Sequence, residues 1–193
     1  MRLFVALDIP AGVRQAIAEL IDRLKPACRG ARWVRSEGIH VTLKFIGHVS
    51  DQDTKKIESI RVALAKILSE RPVEMQFRGV GFFPNERRPR VFWSGVQGSA
   101  NLGSLAGAIE GELEPLGIER EARAFTPHLT LARISSPEGV DRLVREAEKL
   151  KDTDFGAARE SEFHLFNSIT KPTGAEYTKI DSYSFVQQAK GVA

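Results

Sequence analysis

Four residues in two short strings have the types and spacing to carry a reaction. The string GIHVTLKFIG (residues 38–47) sets His40 and Thr42 two apart among apolar β-formers. The string FTPHLTLARI (125–134) repeats the pattern with His128 and Thr130. Side chains alternate along a strand, so each string offers an imidazole beside a hydroxyl on one face, with Val41, Leu43, Leu129 and Leu131 on the other. Imidazole titrates near 6.5 and exchanges protons at neutral pH. One neutral ring can accept a proton while one charged ring donates. Threonine hydroxyls can donate to an anion where charge builds up. The set suits metal-free opening of a phosphodiester. A single H-x-T is most simply a hydrogen-bonded structural histidine. Two copies, each in a predicted strand of a comparable half, point instead to one shared cleft.

The elements that must position these residues are legible from periodicity. Residues 2–9 (RLFVALDI) read as a buried strand ending at Pro10. Val13, Ile17, Leu20, Ile21 and Leu24 follow at helical spacing, closed by Pro26 and Gly30. RWV (32–34) reads as a short edge strand before the first motif. Ser50 and Asp53 resemble a capping box opening a helix to about Ser69, with Ile57, Ile60, Leu64, Ile67 and Leu68 inward. VEMQFRGVGFF and RVFWSGV are two strands joined by the polar loop PNERRPR. Leu102, Leu105, Ile109, Leu113 and Leu116 mark a third helix. The second motif strand runs over about 127–134, and a fourth helix starts at Pro137 and Glu138. SEFHLFNSI and YTKIDSYSF close the chain as two strands around the turn TKPTGAE. Strands and helices interleave, giving an α+β or α/β class with antiparallel hairpins. The order strand, helix, motif strand, helix, strand pair is loosely echoed in the second half, so a pseudo-symmetric, two-lobed molecule is expected.

The chain has 193 residues, 42% hydrophobic and 27% charged, ordinary for a soluble domain with a sizeable core. One domain over 1–193, made of two intimately packed lobes, is the expectation. The net charge of +3 is too small to prove a nucleic-acid partner, yet it suits a local basic groove facing an anion. The one cysteine, Cys28, allows no internal disulfide and no C-x-x-C site, which fits a reducing cytoplasmic setting. The apolar run before Asp8 is too short for a signal peptide or a membrane span. A monomer is expected, since one cleft needs no partner subunit.

The paired motifs, with the opening R-x-F-x-A (Arg2, Phe4, Ala6), RPRVFWSGV, PHLTLAR and the FNSI…Y segment (166–169, Tyr177), resemble the 2H phosphoesterase superfamily. The match is closest to its RNA 2',3'-cyclic phosphodiesterase branch, also called 2'-5' RNA ligases. The resemblance implies a bilobal, pseudo-symmetric α+β fold, two antiparallel-rich sheets with helices outside and a central cleft. It implies hydrolysis of an RNA 2',3'-cyclic phosphate end to a 2'-phosphomonoester with no cofactor. His40 would donate a proton to the departing 3'-oxygen, His128 would accept one from water, and Thr42 and Thr130 would hold the phosphate. The local sequence does not distinguish the two histidines. Reversal would join RNA ends through a 2'-5' bond.

Other residues carry weaker signals. Arg133 reads either as a phosphate contact or as a surface salt bridge. It lies on the face opposite His128 by strict alternation, unless the strand bulges. Phe4 reads as a stacking partner for a terminal base or as a core aromatic. Lys44 reads as a surface salt bridge. Arg87, Arg88 and Arg90 are most simply a solvated turn, and His48 and His164 are structural. Ser168 and Tyr177 match the resemblance without assigned chemistry. The same four residues could cleave ADP-ribose cyclic phosphate or 2'-5' oligoadenylate. A zinc hydrolase lacks a third ligand and an H-E-x-x-H string. A non-catalytic RNA-binding module would not need both complete motifs.

Overall fold

The structure, a computed structural model, describes residues 1–69, 71–171 and 174–185. Its elements follow in the order β1 (Arg2–Leu7), α1 (Ala11–Leu24), β2 (Ala31–Trp33), β3 (Val41–His48), α2 (Thr54–Ala65), β4 (Val73–Phe83), β5 (Val91–Gly98), α3 (Ala100–Leu113), β6 (His128–Ile134), α4 (Val140–Glu148), β7 (Asp154–Glu160), β8 (Glu162–Lys171) and β9 (Gly174–Ser184). The α+β expectation holds. The strands form an antiparallel sheet in the order β7-β4-β5-β6-β3-β1-β8-β9, with β2 added beside β6.

Each motif strand is the innermost strand of its half-sheet. The halves β7-β4-β5-β6 and β3-β1-β8-β9 meet where Val41 pairs with Leu129. Val41, Leu43, Leu129 and Leu131 turn to the helix-covered side, where they share one apolar core with Ile17, Leu64 and Ile109. Burying such a side chain is worth about 1.5–3 kcal/mol, so the pleat is pinned and the histidine and threonine of each string take the other face.

Several expectations change. Sheet halves are not sequence halves: β8 and β9, from the C-terminal end, complete the half that holds the first motif. The N-cap of α2 is Asp53, whose carboxylate accepts from the Lys56 N–H at 3.0 Å, rather than Ser50. That helix ends at Ala65, leaving Leu68 exposed instead of inward. Strand β7 was not expected. Its sequence DFGAARE is rich in small and charged residues, and Gly156 at φ 109° interrupts the alternation that marks a strand. The turn expected at TKPTGAE narrows, because Lys171 still pairs with Gly174; Pro172 and Thr173 lie outside the described residues. Among the described residues no helix is long and apolar enough to cross a membrane.

Candidate active site

Both motif strands carry the same irregularity at the same place. Ala6 pairs with Thr42 and Val5 with Lys44, so Leu43 is an extra residue in β3. Trp93 pairs with Thr130 and Phe92 with Ala132, so Leu131 is an extra residue in β6. These are β-bulges, which shift the face of every residue beyond them. Leu43 with Lys44, and Leu131 with Ala132, all turn into the core. Phe45 and Arg133, five residues after each histidine, return to the exposed face. The bulge therefore removes the alternation problem at Arg133 and places it on the face of Thr130.

Each imidazole has the carbonyl two residues upstream as a neighbour. His128 Nδ1 lies 2.8 Å from the Thr126 carbonyl, which can only accept, so Nδ1 carries the proton and Nε2 keeps a lone pair. The Gly38 carbonyl, likewise two residues upstream, lies near enough to the His40 ring to favour its charged form. The two rings are near enough that charge on His128 disfavours charge on His40.

Their surroundings differ. His40 lies against Phe4 with ring centroids 4.7 Å apart and planes 27° apart. Phe166 lies beside both rings and nearly parallel to them, 5.1 Å from Phe4 and 6.1 Å from His40. The Tyr177 ring stands edge-on to His40 at 5.1 Å. Gly38 makes that approach possible: a Cβ there would sit 2.8 Å from the Tyr177 ring. Burial pushes the His40 pKa down to about 4, helped by the charges of Arg14 and His128 and opposed by the Gly38 carbonyl and Asp8. Arg14 also donates to the Ser36 and Ile39 carbonyls at 2.7 and 3.1 Å, bracing the chain entering β3.

His128 has one aromatic neighbour of this kind, Phe83, edge-on at 5.0 Å. Its pKa is also lowered, chiefly by burial and further by the Arg133 charge, against the Thr126 carbonyl. Arg133 makes no ion pair among the described residues and pairs across strands with Arg32. Of the two readings of Arg133, the surface salt bridge is absent among those residues, and its charge acts on His128 and Tyr177.

Thr42 and Thr130 are half-buried on the cleft face. Phe4 is 2% exposed, with Phe166 against it and His40 on it. It offers no open face to a base and instead holds His40, a correction to one expected role. Phe45, which sequence reasoning passed over, is 52% exposed and 6.2 Å from Phe4. Its signal was an apolar residue that a strand without a bulge would have buried. Tyr177 comes from 137 positions further along the chain than His40, and only the β8–β9 hairpin brings it in. Lys44 is buried rather than at the surface: its Nζ lies 2.9 Å from the Glu110 carboxylate and 2.5 Å from the Glu119 carbonyl. His164 is buried and hydrogen-bonded to Ser182 at 2.8 Å, and His48 is exposed at the end of β3. Among the described residues no group of three or more His, Cys, Asp or Glu is placed to hold a metal ion.

Comparison with known proteins agrees with this geometry. The model of the family described as LigT like phosphoesterase matches twice, over residues 7–93 and 96–177, once around each motif. An RNA 2',3'-cyclic phosphodiesterase of Methanothermobacter thermautotrophicus is 33% identical over 183 residues, covering 95% of this chain and 98% of its own. One from Archaeoglobus fulgidus is 35% identical, covering 92% and 96%. Among solved structures, TT0787 of Thermus thermophilus aligns with TM-score 0.77 and 30% identity over 96% of this chain and 98% of its own. E. coli LigT complexed with 3'-AMP aligns equally well, at 25% identity over 96% and 98%.

Proposed function

The chain belongs to the LigT-like phosphoesterases, within the 2H phosphoesterases, and on that premise we propose that it hydrolyses RNA 2',3'-cyclic phosphate ends to 2'-phosphomonoesters. The observation that carries this reading is the meeting of two identically bulged H-x-T strands at Val41–Leu129, which brings the two imidazoles close enough for their charges to interact. The names of the full-length relatives support the substrate.

In the reaction, water attacks phosphorus while His128 Nε2 takes its proton. The P–O3' bond breaks, and the 3'-oxygen leaves with a proton from His40. The phosphate stays on O2'. Thr42 and Thr130 hydroxyls and the Arg133 guanidinium stabilise the non-bridging oxygens as charge builds on them. His40, pushed down to about 4, is largely neutral at pH 7 in the free protein. A bound phosphate dianion or diester anion favours its charged form and brings it into the donating state. Phe45 is placed to contact the terminal base, since its exposed ring flanks the His40 side of the cleft.

The chemistry needs no metal and no second subunit, and the reading belongs to a monomer in the reducing cytoplasm, with RNA as its partner. The same attack with a ribose 5'-hydroxyl in place of water, O3' again leaving with a proton, would make a 2'-5' bond as a side activity. The test is a short RNA ending in a 2',3'-cyclic phosphate, incubated with the protein in excess EDTA, with the product phosphate located. A 2'-phosphate is expected. A 3'-phosphate, or activity abolished by EDTA and restored by a divalent cation, overturns the reading.

A further inference from the structure

Beyond His128 the cleft face continues onto an aromatic shelf. Trp93 pairs with Thr130 across β5–β6 and with Gly81 across β4–β5, so the three residues share one face. The indole lies over Gly81, where a Cβ would meet it at 2.4 Å, so residue 81 must lack a side chain for the ring to lie flat. Phe83 packs beside the indole at 5.1 Å and connects it to His128. The indole Nε1 has no acceptor among the described residues, so stacking and the glycine beneath it set the ring's position. Trp93 lines a hollow of about 670 Å³ that Asn85, Glu86, Arg87 and Lys151 also border. Lys151 is held by Glu148 at 2.6 Å, whereas Arg87 makes no ion pair among the described residues.

We infer that this hollow is a second nucleoside subsite, which takes the base adjoining the reacting RNA end. The inference rests on the phosphodiesterase reading above. A flat aromatic ring beside an uncommitted guanidinium is the pairing that holds an unpaired nucleotide, the ring under the base and the cation near a backbone phosphate. The hollow is within the usual size of a small-ligand site. Trp93 stands one strand and Gly81 two strands from Thr130, roughly 5 and 10 Å, which sets the shelf beside the phosphate position rather than on it. Glu86 on the rim disfavours a phosphate at that edge and leaves Arg87 as the backbone contact. Stacking is tolerant of base identity, so the subsite recognises that a second nucleotide is present rather than which one.

The test compares kcat/KM on a nucleoside 2',3'-cyclic monophosphate and on a dinucleotide ending in the same cyclic phosphate, for the wild type, Trp93→Ala, Trp93→Phe and Arg87→Gln. The wild type is expected to favour the dinucleotide roughly tenfold, the scale of one stacked base. Trp93→Ala is expected to lose most of that ratio, Trp93→Phe to keep most of it, and Arg87→Gln to lower it in a salt-dependent way. A wild type that hydrolyses both substrates equally well overturns the subsite and leaves the phosphodiesterase reading standing. So does a Trp93→Ala variant that falls equally on both. A wild type that hydrolyses neither overturns the phosphodiesterase reading, and this inference with it.

Discussion

The His40 and His128 halves of the cleft are built from one plan and finished differently. Both have an imidazole beside the carbonyl two residues upstream, a threonine two residues on, and a bulge at the next leucine. Around His40 stand Phe4, Phe166 and Tyr177, and the ring is pushed down to about 4. Around His128 stand Phe83 and the charge of Arg133. Equivalent positions also diverge: Phe45 answers Arg133, and Lys44 answers Ala132. On the proposed mechanism the repeat supplies two proton carriers, whose differing neighbours set them apart. Acid and base can then be separate groups, because catalytic roles follow from environments that push paired titrations apart.

This comparison can be broken at several points. The largest effects fall on the shared plan. His40→Ala and His128→Ala are each expected to lower turnover of a cyclic phosphate end by about a hundredfold or more, the scale of a positioned acid or base. Near-normal turnover in either variant removes that histidine from the mechanism. Lys44→Ala makes the first half resemble the second at one position and strands the Glu110 carboxylate. A loss of about 3 kcal/mol in urea unfolding is expected, as for one broken buried pair. An unchanged midpoint would mean that the pair adds nothing. Thr42→Val and Thr130→Val keep shape and remove a donor, and each is expected to lower turnover about tenfold or more with folding intact.

The smallest effect sharpens the difference between the halves. The base works unprotonated, so activity falls as pH drops through its pKa. With that pKa lowered, the acidic limb of the pH profile lies below 6.5. Arg133→Gln removes a charge that disfavours protonation of His128, so the limb is expected to move to higher pH. A limb that stays in place, or moves to lower pH, would show that the guanidinium does not act on this ring.

The motifs, the helices and most strands were legible because each writes its own period into the sequence. What could not be read is what depends on pairing. A bulge at Leu43 or Leu131 leaves no mark in HVTL or HLTL, yet it decides whether Lys44, Phe45 and Arg133 face core or cleft. Phe4 looked equally like a base platform and a core ring until Phe166 was seen against it. Tyr177 entered the site only through a hairpin that completes the other end of the sheet. Strand β7 carries small residues whose burial against α1 comes from tertiary packing rather than from pattern.

The most direct test of the central claim is an NMR titration of the His40 and His128 ring protons, run free and with a saturating nucleoside 2'-monophosphate. In the free protein both rings are expected to titrate below 6.5, His40 near 4. With the bound phosphate, the His40 titration is expected to move upward, toward the donating form at neutral pH. Two rings that titrate together near 6.5, or a His40 that the phosphate leaves unmoved, would contradict the assignment of different roles to the two halves.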